Sequence, residues 1–375
     1  MRPSYLRNWR RQAEMKRARN LAQLALTTPA NLVSLSLSEW DMLIRQGRSA
    51  GILGTIHRRL EQLGLLEHLP NAPRNHLNAA CNLAGFHERV LRWEVHCVQK
   101  ALADVCRDFI VLKGAAYIVS GLPHAGGRLQ SDLDILVPRS ILKGVERALI
   151  EHGWEEIKQN RYDDHYYRKW SHELPPLVHS ERRTVVDVHH NILPATSRLH
   201  PDPQKLLVAA EPIPGTSFRR LCSEDMVLHA SAHMFQDGDL TRGLRELTDI
   251  DGLLRAFGAD AGFWERLVKR APEMDLHRPL FYALRYSRLY LETPIPKMVL
   301  STCDAWSPRR PALHVMDNLI AEAIEPGLAS SLRSGVARWL LYVRSHWLRM
   351  PPFLLARHLT HQSLRRLFQE QNFSF

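Results

Sequence analysis

Between residues 108 and 190 the texture of the chain changes, and this stretch sets what the rest can fold around. Phe109-Ile110-Val111-Leu112 is a short, wholly apolar run, the pattern of a strand covered on both faces. Lys113-Gly114-Ala115-Ala116 predicts the opening of a helix to about Ser120, stopped by Gly121-Leu122-Pro123. After a loop carrying Gly126-Gly127-Arg128, the segment Asp132-Leu133-Asp134-Ile135-Leu136-Val137 reads as a second strand. Pro138 ends it and starts a helix to about His152, with Gly153 at the C-terminal cap. Alternating stretches follow at 154–157, 165–170, 177–180 and 184–190, with Glu181-Arg182-Arg183 as a hairpin turn between the last two. Strand, helix, strand, helix and then a β meander predict a small α/β or α+β unit of roughly 90 residues.

Both flanks read as helical. Leu35, Trp40, Leu43, Ile44, Ile52, Leu53 and Ile56 recur at three- and four-residue intervals, and a second helical pattern runs from about His76 to Cys106. Pro70-Asn71-Ala72-Pro73 separates the two groups. Further on, Ser223-Glu224-Asp225 caps an expected helix through Phe235, another covers 244–257, and more fill 262–292, 312–325 and 333–349 before Pro351-Pro352. The expected organisation is a helical N-terminal region (1–107), an α/β core (108–195) and a helical C-terminal region (196–375).

The net charge is +11, from 50 Lys and Arg against 39 acids. It is concentrated at the ends. Residues 1–20 carry seven cations against Glu14, residues 330–375 carry seven against Glu370, and the body between is close to neutral. This argues against a nucleic-acid-binding face spread over the whole molecule, and leaves the basic termini as docking elements for an anionic partner or as solubilising surface. No stretch of about 18 apolar residues is free of charge, so no membrane-spanning helix is expected. The stretch 21–26 is too short, and too crowded by Glu14, Lys16, Arg17 and Arg19, for a secretory signal. Five widely spaced cysteines without a CxxC suggest neither a disulfide framework nor a thiolate zinc site. The expected setting is the reducing cytoplasm. Over 338–349 a wide apolar arc faces a narrow stripe of Arg338, Ser345 and Arg349, expected as a core helix; peripheral contact with anionic lipid or an RNA backbone is the sharper alternative.

The chemistry-bearing residues lie in the strands. Side chains two apart in a strand share a face, so Asp132 and Asp134 point together, as do Asp187 and His189. If these strands are neighbours, three carboxylates converge, and like charges so close resist joint ionisation unless a cation neutralises them. Mg²⁺ suits that task, because it takes carboxylate and phosphate oxygens together, and two such ions about 4 Å apart can serve a phosphoryl-type displacement. Lys113-Gly114 offers a phosphate contact where a strand passes into a helix, although neither GxxxxGK[ST] nor GxGxxG occurs. Arg128 is either a guanidinium fork for phosphate or a partner of Asp132. His189 either orients a ligand or is a hydrogen-bonded, half-buried histidine.

Leu112-Lys113-Gly114-Ala115-Ala116, Arg128 and Ser131-Asp132-Leu133-Asp134-Ile135-Leu136-Val137 together resemble the polymerase-β-type nucleotidyltransferase superfamily. More narrowly, they resemble its uncharacterised nucleotidyltransferase branch, with an LKG element, an Arg and then a DxD strand. Val186-Asp187-Val188-His189 is similar to that branch's later strand. The segment from Glu224 to His233, with Leu247-Thr248-Asp249-Ile250, is similar to its helical tail. The resemblance implies an α+β fold, a polymerase-β-like core of mixed sheet and flanking helices between the two helical regions. It implies Asp132 and Asp134 as metal ligands, Asp187 as third carboxylate and general base, and triphosphate contact at Lys113-Gly114. The implied reaction is Mg²⁺- or Mn²⁺-dependent transfer of a nucleoside monophosphate from an NTP, with ATP the expected nucleotide, and release of pyrophosphate. The acceptor is left open among a sugar or polysaccharide precursor, a protein and tRNA. The chain departs from the wider superfamily at Gly114-Ala115, where Gly-Ser or Gly-Gly is usual. The alternative is a catalytically silent nucleotide-binding or RNA-binding module on the same fold.

Other polar groups have blander expectations. His229 and His233 are four apart, but no Glu follows His229, so HExxH is absent and a helix packing on the core is expected. Asp163-Asp164-His165 and His172-Glu173 read as solvated loop residues.

Overall fold

The computed structural model describes residues 21–157, 171–237, 240–325 and 332–350. The expected strand at 165–170, the Asp163-Asp164-His165 triplet, Pro351-Pro352, the basic stretch 1–20 and the cations beyond residue 350 lie outside the described residues.

One mixed sheet of seven strands organises an otherwise helical chain. Its strands are β1 (Ile110–Val111), β2 (Asp132–Leu136), β3 (Trp154–Glu156), β4 (Leu177–His179), β5 (Val185–His189), β6 (Glu211–Pro212) and β7 (Arg219–Arg220). Their order is β3-β4-β5-β2-β1-β7-β6. At the centre β2 runs parallel to β5 and antiparallel to β1. Leu133, Ile135, Val186 and Val188 are buried on one face, and Asp134, Leu136 and His189 are buried on the other. Strands β6 and β7 escape the sequence pattern. Each has two residues, Pro212 and Arg219-Arg220 carry no apolar alternation, and β7 is held beside β1 by backbone pairing alone in register. They fall beyond residue 195, so the sheet draws on chain that had been allotted to the helical C-terminal region.

The helices around the sheet follow from ordinary signals. Ser36 and Glu39 form a reciprocal capping box on the helix Leu37–Ala50, and Gly51, at φ 71°, closes it. The helix Asn71–Ala101 begins before the periodicity predicts, because Pro73 sits in its first turn, where a missing N–H costs nothing. In the C-terminal part the helix Ser223–Ala232 is capped from Cys222, one residue before the expected Ser223, whose hydroxyl instead meets Glu224. It continues as a single π-type turn, His233–Asp237. The stretch 262–292 splits into Phe263–Glu273 and His277–Leu291 around Asp275, at φ 56°. One continuous apolar core, with Trp40, Phe109, Trp154 and Tyr286 at its heart, joins sheet and helices. Among the described residues all five cysteines are free, and no helix is long and apolar enough to cross a membrane.

The loop that delivers Arg128 is fixed by two glycines. A Cβ on Gly54, near the start of the helix Leu53–Gln62, would stand 2.2 Å from the carbonyl oxygen of Gly127. Gly127 itself adopts φ 81° and would meet the Gly54 carbonyl at the same distance. Backbone lies directly on backbone, and neither side can yield by rotating a side chain. Gly54→Ala is expected to cost about 1–3 kcal/mol of stability. An unchanged thermal melt would show that this contact is looser than described.

Candidate active site

The register of the central strand pair sets the site. Asp134 stands opposite Asp187, Asp132 opposite Val185, and Leu136 opposite His189. Asp132, Asp134 and Asp187 each place a carboxylate oxygen so that all three lie within 4.8 Å of one another. The condition for convergence, that the two strands be neighbours, is met.

Asp134 is fully buried. Its Oδ1 accepts a hydrogen bond from Lys113 Nζ at 2.6 Å and meets His189 Nε2 at 3.0 Å, while its Oδ2 has no hydrogen-bond partner among the described residues. Burial alone would raise the Asp134 pKa, but the Lys113 ammonium and the His189 ring outweigh it and hold the carboxyl far below the usual range. Burial likewise opposes the charge on Lys113, yet the Asp134 carboxylate keeps its ammonium well above the usual lysine value. Lys113 opens the helix Lys113–Val119 with φ 48°, a backbone region that only Gly enters without strain.

Asp187 behaves in the opposite way. Burial, together with the negative charges of Asp134 and Glu173, pushes its carboxyl up to about 7. Its Oδ1 is buried without a hydrogen-bond partner among the described residues. Buried carboxylate oxygens left unsatisfied are costly in a dry site, and a hard divalent cation held by this cluster would satisfy them. The donor set therefore fits such an ion.

Arg128 does not pair directly with Asp132. It is buried, and its guanidinium grips Asp249 of the helix Gly243–Phe257, with Nε 3.0 Å from both carboxylate oxygens and Nη2 2.9 Å from Oδ2. It stacks 5.8 Å from the Tyr117 ring centroid and also bonds the Gln130 side-chain carbonyl. Gln130 in turn donates from Nε2 to Asp132 Oδ1 at 2.8 Å and to the Asp132 carbonyl at 2.7 Å. The helical tail thus reaches the site through Asp249, Arg128, Gln130 and Asp132. Gly114 makes room for this chain, because a Cβ there would stand 2.0 Å from Arg128 Nη1 and 2.1 Å from Gln130 Oε1. Asp249→Ala leaves a buried guanidinium unpaired and is expected to cost about 3–5 kcal/mol. A melt within experimental error of wild type would contradict that role.

His189 is 1% exposed and bridges two acids, with Nε2 toward Asp134 and Nδ1 3.3 Å from Glu173 Oε2. The neighbouring His172-Glu173 pair is not a solvated loop, and that expectation is corrected here. Glu173 forms a β-bridge with His189, flanked by bonds from Leu174 N to Val188 O and from His190 N to His172 O. A single bridge is too short to leave an alternation in the sequence. His229, on the helix that packs against Lys113–Val119, is buried as expected. Burial, and then the nearby charge of Lys113, hold its imidazole neutral, well below the ordinary histidine value. Gln130 belongs to no motif, and its part shows only once the partners on either side are placed.

A parallel strand pair brings three carboxylates together, with a lysine at the adjoining strand end, and this group could hold a metal ion. The chain belongs to the family described as uncharacterised nucleotidyltransferase, whose family model matches residues 36–292. That span takes in every strand of the sheet and the helix carrying Asp249. No curated protein and no solved structure matches the chain.

Proposed function

We propose that the protein is a divalent-metal-dependent nucleotidyltransferase with a polymerase-β-like core, moving a nucleoside monophosphate from an NTP to a hydroxyl or phosphate acceptor. The observation that carries this reading is the pair of unsatisfied buried oxygens, Asp134 Oδ2 and Asp187 Oδ1, within a converging set of three carboxylates. Asp132, Asp134 and Asp187 would hold the ion, with Mg²⁺ the best match to an all-oxygen donor set. When bound, it neutralises the carboxylates and offsets the negative charge developing on the departing pyrophosphate. Asp134 is kept ionised for this by Lys113 and His189. Lys113, with a quarter of its side chain exposed, is placed to meet the triphosphate as well. Asp187, as the third carboxylate of the cluster, would take the proton of an acceptor hydroxyl. Arg128 is a positioning residue, acting on Asp132 through Gln130. Ala115 is fully buried in the apolar core, so a small apolar residue suits this position.

The test is incubation of the purified chain with α-labelled NTPs, Mg²⁺ or Mn²⁺ and a cell lysate. A labelled acceptor is expected with the wild-type chain and not with Asp132→Asn. No labelled product with any of the four nucleotides, or equal labelling by the variant, would overturn the reading.

A further inference from the structure

Next to the three aspartates lies a second group of metal-ligating side chains. His172, Glu173 and His189 each offer a donor atom within 4.8 Å of the others. Its chemistry differs from that of the acidic site: two imidazoles and one carboxylate suit a borderline-soft ion, whereas three carboxylates suit a hard one.

Three observations single this cluster out. His189 is almost fully buried, yet among the described residues its Nδ1 has no hydrogen-bond partner, and His172 Nδ1 is likewise buried without one. The Nδ1 atom of His189 lies 3.3 Å from Glu173 Oε2. Donors held about 2.1 Å from a tetrahedral ion are separated by about 3.4 Å, so this spacing is that of two ligands on one centre. Finally, the opposite ring nitrogen of His189 contacts Asp134 at 3.0 Å. A metal-bound imidazole characteristically donates its other N–H to a carboxylate, which fixes the ring and raises its basicity.

We propose that His172, Glu173 and His189 form a second cation site, for a divalent transition ion of the Zn²⁺ type, coupled to the acidic site through the Asp134–His189 contact. An ion there ties the segment before β4 to the end of β5 and holds the His189 ring against Asp134. It leaves at least one coordination position for water or a ligand oxygen. The site does not depend on nucleotidyl transfer, because its donors are separate from the aspartate oxygens assigned to the hard ion.

The test uses the full chain, stripped of metal with a chelator and then titrated with Co²⁺ in excess Mg²⁺, which occupies oxygen sites and competes poorly for imidazole. The readout is the visible d–d absorption of Co²⁺ bound to nitrogen, followed by its displacement with Zn²⁺. Wild type and Asp132→Asn are expected to show the band equally, and His172→Ala to bind Co²⁺ at least tenfold more weakly. His172→Cys, which keeps a donor, is expected to restore binding with added sulfur-to-metal absorption. Absence of the band in wild type, or its full retention in His172→Ala, would overturn the proposal. If His172→Ala melts well below wild type before metal is added, His172→Cys decides: failure to bind rejects the site. Loss of labelling activity with the Co²⁺ band intact would count against the transferase reading and leave this one standing.

Discussion

Replacing Asp134 by Asn is expected to remove nucleotidyl transfer, by roughly a thousandfold or more, and to lower the melting temperature as well. The two effects share one cause. Asp134 is the buried carboxylate on which Lys113 and His189 both converge, and it lies in one cluster with the other two aspartates. Asn keeps the shape but removes the charge, leaving the Lys113 ammonium without a counter-ion in a largely dry site. The stability loss is about 2–3 kcal/mol, below that of a fully dry pair because Lys113 retains 25% of its side-chain exposure. Asp132→Asn is the companion measurement. Asp132 is only half-buried and bonds a neutral glutamine, so this variant is expected to lose transfer with little change in the melt. Undiminished transfer by either variant would refute the carboxylate assignment.

The second large effect concerns Asp187 and pH. Its carboxyl stands at about 7 in the folded chain against 3.8 for the ordinary side chain. The folded state therefore holds this proton more tightly than the unfolded one. The resulting penalty is absent below about pH 4, grows as pH rises, and is complete above about pH 7, reaching on the order of 4 kcal/mol at most. In chelator, the wild-type chain is expected to lose stability relative to Asp187→Asn between pH 5 and 8. Added Mg²⁺ is expected to reverse that loss in wild type and to do much less in the variant. The two proteins differ only at residue 187, so the difference between the two melts isolates Asp187. Parallel melting curves across this range would show that the carboxyl is not raised.

The central strands were legible because they are long enough to alternate. Leu133, Ile135, Val186 and Val188 mark one face, and the aspartates between them mark the other, so a site at β2 and β5 follows once the two strands pair. The parallel pairing itself leaves no local trace. Neither does the identity of the Arg128 partner, since Asp249 lies 121 residues further on, in a segment whose likeness to the family's helical tail names no partner for it. His172 and Glu173 looked solvated because one β-bridge has no period. Strands β6 and β7 were invisible because backbone pairing beside β1, not side-chain pattern, defines them. What sequence periodicity conveys is burial, and the missed features are polar and backbone contacts that leave no period.

The Asp249–Arg128 pair bears on how such a site can be inherited. The carboxylates occupy a few strand positions, which suggests a cassette transferable between unrelated chains. Yet Asp132 is oriented by Gln130, Gln130 is met by Arg128, and Arg128 is neutralised from a helix that starts at Gly243. A chain ended at residue 195 would retain all three aspartates while stranding a guanidinium in the core and baring the β1 edge that β7 covers. The strands and the helical tail are thus a single unit of inheritance: recombination that separates them would deliver the three aspartates without the means to aim them.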